Sequence, residues 1–435
     1  MKSFSIIINN KIKKFNKSLS VPGDKSISHR FFLIASQAIG ESIATGVLES
    51  EDILSTINAL KKFGVKIIKK KNKYIVFGNG LNSFKIKKNL SILCNNAGTL
   101  ARLLPGLLVN YPVNVSLLGD KSLSRRPMSR IIEPLKKFGM YFSPKNKKKL
   151  PLKITGSEMP IPITHDHKSG SSQVKSCLMN ASILTPGISL IKEYKKSRNH
   201  HEIMLKYAGA DINIKKIKKY NCIFIRGQKN FRGFNLKIGG DISSAAFLIG
   251  LTLATDNSKI IVKNLNINPT RTGIITIFKK MNANIKIKNT KTVCGEKIGD
   301  LIVESSNLKN INCPKYLVPY AIDEFPIILL LAGISSGVAT IKNIGELNKK
   351  ESPRLNIMNK ILNQIGVKTI IKKDSIKIFG NPNLKKRELK GKYKISSYMK
   401  DHRITMVSCI AALVLGGSWN IKNAESVTTS FPSFY

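Results

Sequence analysis

The sequence predicts an α/β protein of two lobes with three similar units in each, and three observations support that reading. A unit made of a polar, cap-like loop, an apolar helix, a small-residue turn and a β-branched strand recurs along the 435 residues. The copies lie roughly 70–85 residues apart, too far for the usual solenoid repeats, and their helix–strand alternation suits compact α/β units. Two similar stretches, Gly23-Asp24-Lys25-Ser26 and Gly239-Gly240-Asp241-Ile242-Ser243, mark matching hinges.

The elements follow in chain order. Ser5 to Ile8 reads as a short apolar strand, followed by a basic linker. Pro22 to Arg30 then opens an apolar helix over Phe31 to Ile39, with a strand over Ser42 to Val47. Gly23 permits the sharp entry, and Asp24 or Ser26 can cap the free N–H groups of the first turn. Further copies start at Asn95, Ser169, Gly240, Ile322 and Lys400. Within a unit, a second helix ends on Gly or a near equivalent and runs into an Ile/Val/Lys strand, as at Leu60 to Val65, Leu135 to Met140 and Leu205 to Ala210. A further short strand closes each unit, for example Tyr74 to Phe77 and Cys222 to Ile225. The sixth unit stops at residues 430–435 without its second helix and strand, a gap that Ser5 to Ile8 partly fills. The predicted lobes are residues 23–239 and residues 1–22 with 240–435, separated by a cleft.

Composition narrows the class. The net charge of +48 raises nucleic acid, anionic membranes and acidic metabolites as partners. Lysine is spread through nearly every segment, and runs such as residues 69–71 and 147–149 fall in expected turns, so the charge reads mostly as background. No zinc-finger spacing or RNP-like aromatic motif accompanies it. The six cysteines are scattered, as expected of reduced thiols in a cytoplasmic protein. The first apolar run ends at Asn9-Asn10-Lys11, short of a signal-peptide core. Runs such as Pro326 to Ile334 fall short of the ~20 residues a membrane span needs. There is no P-loop, no G-x-G-x-x-G and no convincing metal spacing among the histidines.

The polar residues of interest gather at the predicted helix starts. They are Lys25, Ser26 and Arg30; Asn96, Gly98, Thr99 and Arg102; Ser171, Ser172 and Gln173; Asp323; and Asp401, His402 and Arg403. Units arranged about a pseudo-threefold would bring these helix N-termini together, and positive dipole ends beside Lys and Arg suit a polyanionic small molecule. Arg125-Arg126-Pro127 offers forked recognition of a carboxylate or phosphate. Asp323 with Glu351 forms a candidate acid/base pair. Taken singly, each residue also fits a plain cap or a solvated loop.

Taken together, the motifs resemble the 5-enolpyruvylshikimate-3-phosphate synthase family. They are Gly23 to Arg30, Asn96 to Thr99, Arg126-Pro127-Met128, Ser171 to Ser176, Asn268 to Gly273, Ile322-Asp323-Glu324, Lys350-Glu351-Ser352, Asp401-His402-Arg403 and Thr429 to Pro432, in family order over nearly the whole chain. The resemblance implies two lobes, each of three βαβαββ units in an inside-out α/β barrel. It implies transfer of the enolpyruvyl group of phosphoenolpyruvate to the 5-hydroxyl of shikimate 3-phosphate, without metal or organic cofactor, by a monomer.

Roles follow by motif. Lys25 would touch both substrates. Ser26, Arg30, Ser171, Ser172, Gln173, Arg198 and Lys350 would bind shikimate 3-phosphate, with Asp323 taking the proton from its 5-hydroxyl. Gly98, Arg126, Gln173, Arg354 and Arg403 would bind phosphoenolpyruvate beside Lys25. Glu351, assisted by Lys25, would protonate the methylene carbon. Gly98 keeps the space an Ala would fill, which implies sensitivity to glyphosate. Three departures stand out: Pro353 in the loop that aims Arg354, Leu103 where many relatives have Pro, and Thr429 at a position that is Lys in one branch. Thr429 and Arg198 place the chain nearer the other branch. The related UDP-N-acetylglucosamine enolpyruvyl transferases would show a nucleophilic Cys on a long loop, a role for which Cys94 is poorly placed.

Overall fold

A computed structural model describes residues 3–143 and 148–435; Lys147, in one of the lysine runs, lies outside the described residues. The chain divides into two compact units. The first comprises Met1–Pro22, Gly239–Lys291 and Lys297–Tyr435, and the second Gly23–Ile238 with Thr292–Glu296. Among the described residues no helix is long and apolar enough to cross a membrane.

The second unit holds three four-stranded sheets of one pattern. In the sheet Leu90–Asn95, Asn114–Gly119, Leu152–Thr155, Tyr141–Phe142, the first two strands are parallel and the others antiparallel to their neighbours. Thr164–His167, Ile188–Glu193, Tyr220–Arg226 and Ile212–Ile217 repeat it. The remaining sheet is built on Ile39–Thr45, Lys73–Asn79 and Lys66–Lys70, and its leading strand is Asn235–Lys237, from the far end of the unit's main segment. That closing strand went unread in the sequence because Asn-Leu-Lys is too short to show a period of two.

The first unit repeats the pattern with three variations. The strand Asn16–Leu19 leads the sheet of Lys259–Asn266, Glu296–Glu304 and Asn284–Val293, pairing parallel with Lys259–Asn266. The sequence predicts a basic linker here, since Asn-Lys-Ser-Leu carries one apolar side chain, and the structure shows a strand instead. Val338–Ile341, Ser375–Phe379 and Thr369–Lys372 form a sheet led only by the isolated bridges Lys309↔Ser336 and Asn312↔Thr340. In the last sheet Ile6–Ile8 runs antiparallel to Ser418–Ile421, which pairs parallel with Lys392–Ile395. The N-terminal strand thus takes a place in the sixth unit.

Three helices in each unit are buried nearly all round. In the first unit these are Ile242–Ala254, Phe325–Gly333 and His402–Leu415, which pack on one another. Their interiors are apolar on every face, as expected of helices without a solvent side. In the second unit they are Lys25–Ala35, the short Gly98–Leu103 and Ser172–Leu184. Outer helices such as Glu51–Lys62 and Arg354–Gln364 are amphipathic and cover the sheets from one side.

The first buried helix begins at Lys25 rather than Phe31 and ends at Ala35 rather than Ile39. Asp24 accepts the Ile27 N–H at 2.9 Å and starts the helix a turn and a half early, so Lys25, Ser26 and Arg30 project from its opening turns. The following strand starts at Ile39, before the expected Ser42. Gly23 lies so close to the chain at Gly46 that a Cβ would sit 1.7 Å from the Gly46 carbonyl oxygen. A side chain there would force these two stretches apart.

Candidate active site

In the first unit, acidic residues precede all three buried helices. Asp241 accepts the Ser243 N–H at 2.8 Å and Asp401 accepts the Arg403 N–H at 3.0 Å, while Glu324 occupies the equivalent place before Phe325–Gly333. Their carboxylates also hold cations. Arg354, 1% exposed, donates from Nε to Asp401 at 2.8 Å and from Nη2 to Asp401 at 3.2 Å and to Glu351. Its Nη1 lies 3.6 Å from Asp323, and Lys350 reaches the same Asp323 oxygen at 3.1 Å. Burial alone would lower the Arg354 pKa, but Asp401, Glu351 and Asp323 outweigh it and hold the guanidinium charged. Ser352 donates to Asp401 at 2.8 Å. Pro353 sits directly before the helix with φ −73°, a value its ring favours, so the loop accommodates it.

Behind this cluster, Arg271 donates to Asp241 at 3.0 Å and to Ser243 at 2.7 Å, and Ser243 donates to Glu324. Arg403 lies 4.0 Å from Glu324. Nη1 of Arg354 and Nη1 of Arg403 are both buried, and among the described residues neither has a hydrogen-bond partner. Two guanidinium edges at the start of buried helices, each with donor capacity in hand, suit a carboxylate or phosphate.

The second unit gathers its candidates in the same way. Lys25 pairs with Asp52 at 3.0 Å. Arg30 bonds the Ser26 carbonyl at 2.9 Å and Ser176 Oγ at 2.9 Å, tying the first buried helix to the third. Ser171 caps Ser172–Leu184 by accepting the Val174 N–H. Gln173 takes a bond from Arg102 at 2.7 Å and gives one to Thr99 at 3.1 Å. Arg126 is held by Asn96 at 2.5 Å and Ser122 at 3.2 Å. Gly98 lies against these cations: a Cβ there would sit 3.0 Å from Arg126 Nη1 and 3.5 Å from Arg102 Nη1. Gly98, Arg102, Arg126 and Gln173 therefore form one group. Arg198 lies in the loop after Ile188–Glu193. Among the described residues no cluster of His, Cys, Asp or Glu could hold a metal ion.

A family model described as EPSP synthase (3-phosphoshikimate 1-carboxyvinyltransferase) matches residues 9–435. The chain belongs to the EPSP synthase family. A 3-phosphoshikimate 1-carboxyvinyltransferase from Petrotoga mobilis is 40% identical over 425 residues, covering 97% of this chain and 96% of the relative. Another from Zymomonas mobilis is 37% identical over 429 residues, 98% of this chain and 94% of the relative. The solved EPSP synthase from Acinetobacter baumannii superposes with a TM-score of 0.84 at 34% identity, covering 100% of this chain and 97% of that one. The enolpyruvyl transferase NikO from Streptomyces tendae gives 0.76 at 12% identity, over 99% and 96%, and shares the fold.

Several residues of this EPSP synthase family chain escaped the sequence reading of the site. Asp52 on Lys25, Arg271 on Asp241, and Glu324 beside Arg403 are all partners from other segments. Arg271 and Glu324 carried a signal, since both fall in motifs quoted for the family, but no role was attached to either residue. Asp52 is the second residue of the ordinary amphipathic helix Glu51–Lys62 and carried none.

Proposed function

We propose that the protein transfers the enolpyruvyl group of phosphoenolpyruvate to the 5-hydroxyl of shikimate 3-phosphate, as a cytoplasmic monomer acting on small anions rather than nucleic acid. The observation that carries this reading is the partly buried cluster in which Asp323 stands between Lys350 and Arg354 while Glu351 rests on the same guanidinium. It places two carboxylates beside cations, as an addition followed by an elimination requires. Membership of the family supports the choice of donor and acceptor.

Asp323 takes the proton of the 5-hydroxyl, whose oxygen bonds to C2 of phosphoenolpyruvate. Glu351, with Lys25, gives a proton to C3, so the methylene becomes a methyl group and C2 a ketal carrying the phosphate. Glu351 then takes a proton back from C3 as the bond from C2 to the phosphate oxygen breaks, which restores the double bond, and the proton held by Asp323 leaves with the phosphate. Arg354 and Arg403 stabilise the donor through their buried Nη1 edges, with Arg126 beside Gly98 as a further cation. Glu351 is tied to Arg354 in this structure. Lys25, Ser26, Arg30, Ser171, Ser172, Gln173, Arg198 and Lys350 hold the phosphorylated acceptor. The high positive charge has no separate role in this account.

Phosphate release from phosphoenolpyruvate tests the reading, with shikimate 3-phosphate and UDP-N-acetylglucosamine offered separately as acceptors. Release with the first alone is expected. Release only with the second, or from folded protein with neither, overturns the reading.

A further inference from the structure

We propose that Lys175 and Glu193 are positioning residues that fix the loop carrying Arg198, and that they act on acceptor binding through that loop. The inference rests on the proposed reaction and adds two residues that never touch substrate.

Lys175 and Glu193 have side chains with 0% exposure, and Lys175 Nζ lies 2.9 Å from Glu193 and 2.5 Å from Glu202. These two carboxylates stand at opposite ends of the loop 194–199: Glu193 closes the strand Ile188–Glu193, and Glu202 lies in the first turn of His200–Tyr207. One ammonium therefore pins both ends. Glu193 also grips the loop itself, since its Oε1 accepts Ser197 N–H at 2.9 Å and Ser197 Oγ–H at 2.6 Å. Its other oxygen takes Asn221 at 3.2 Å. Ser197 is the residue before Arg198.

The same lysine belongs to the helix that Ser171 caps, two residues beyond Gln173 and next to Ser176, which accepts from Arg30. The acceptor-binding candidates of the second unit come from three separated stretches of chain, and this buried ion cluster joins two of them directly and meets the third through Ser176. Stability alone gives little reason for it. Desolvating an ammonium and two carboxylates is costly, and apolar side chains of equal volume are often as stable. A loop bearing a phosphate-binding arginine gains from being held in place beforehand, because ordering it on binding subtracts from affinity. The pair remains ionised despite burial: Glu202 and Glu193 hold the Lys175 pKa up, and Lys175 with Ser197 holds that of Glu193 down.

The test is steady-state kinetics of Glu193→Gln, Ser197→Ala and Arg198→Ala, singly and combined, on the full chain. Glu193→Gln is expected to raise KM for shikimate 3-phosphate about tenfold while KM for phosphoenolpyruvate and kcat stay within about twofold. In the Arg198→Ala background the same change should add less than about twofold, because its effect runs through Arg198. If Glu193→Gln does not fold, Ser197→Ala, which leaves every charge in place, is expected to raise the same KM about threefold and to lose that effect without Arg198. A parallel rise of both KM values, or full additivity with Arg198→Ala, overturns the proposal and makes the cluster a purely structural one. Lack of acceptor-dependent phosphate release by the unaltered protein would instead overturn the enzymatic reading beneath it.

Discussion

Mild acid should loosen the second unit well before its carboxylates titrate. His29, His167 and His201 are buried there with 0–1% exposure. Burial, with Lys25 and Arg30 adding to it, holds the His29 pKa well below the ordinary value. Burial and then Arg30 and Lys175 do the same to His201. Burial, partly offset by Glu193, pushes His167 down to about 4. An unfolded chain takes up these protons near pH 6.5, whereas the folded unit stays neutral at these positions. The unfolded state thus binds more protons below that pH, and stability falls as the pH falls. From pH 7.5 to 5.5 each such histidine removes about 1.4 kcal/mol, and the three together about 4 kcal/mol, a large share of the ~5–15 kcal/mol typical of a folded protein. Urea titrations followed by far-ultraviolet circular dichroism at the two pH values read this directly. The single tryptophan, Trp419, is buried in the first unit, which contains one of the six histidines, so its fluorescence transition should shift less. A circular-dichroism midpoint at pH 5.5 equal to or above that at pH 7.5 would refute the reasoning.

Three substitutions extend the account. Asp401→Asn weakens both Arg354 contacts and leaves Glu351 and Asp323 as the carboxylates beside that buried guanidinium, with an expected loss of about 1–3 kcal/mol in the urea-derived stability; an unchanged midpoint would contradict the contribution of that pair. Gly98→Ala places a Cβ 3.0 Å from Arg126 Nη1, so KM for phosphoenolpyruvate should rise severalfold, and glyphosate, expected to inhibit the unaltered protein, should inhibit the variant less. Full turnover of the unaltered protein in glyphosate would contradict this. Asp323→Asn should lower kcat by about 10²–10⁴-fold with little change in thermal midpoint, and a kcat within tenfold would remove Asp323 from the proton transfer.

The buried helices and their polar starts were legible because both signals are local. An apolar run after Asp24, Ser171, Asp241 or Asp401 announces a capped helix without reference to the rest of the chain. The strands Asn16–Leu19 and Asn235–Lys237 were not legible, since each is short and joins a sheet built from distant residues. The candidate site divides in the same way. Lys25, Gly98, Gln173, Asp323 and Arg403 stand where helices start, whereas the partners that aim and charge them come from elsewhere. Nothing near Asp401 in sequence says that it grips Arg354, and nothing near Glu193 says that it meets Lys175. Periodicity and capping report on neighbours along the chain, and long-range ion pairs leave no such trace.

The most direct test of the account is the isotope content of the product formed in deuterium oxide from phosphoenolpyruvate and shikimate 3-phosphate. Addition and elimination make C3 a methyl group for a time, so the account predicts deuterium in the enolpyruvyl methylene, read by mass spectrometry. A product formed with phosphate release but free of deuterium at that carbon would contradict it.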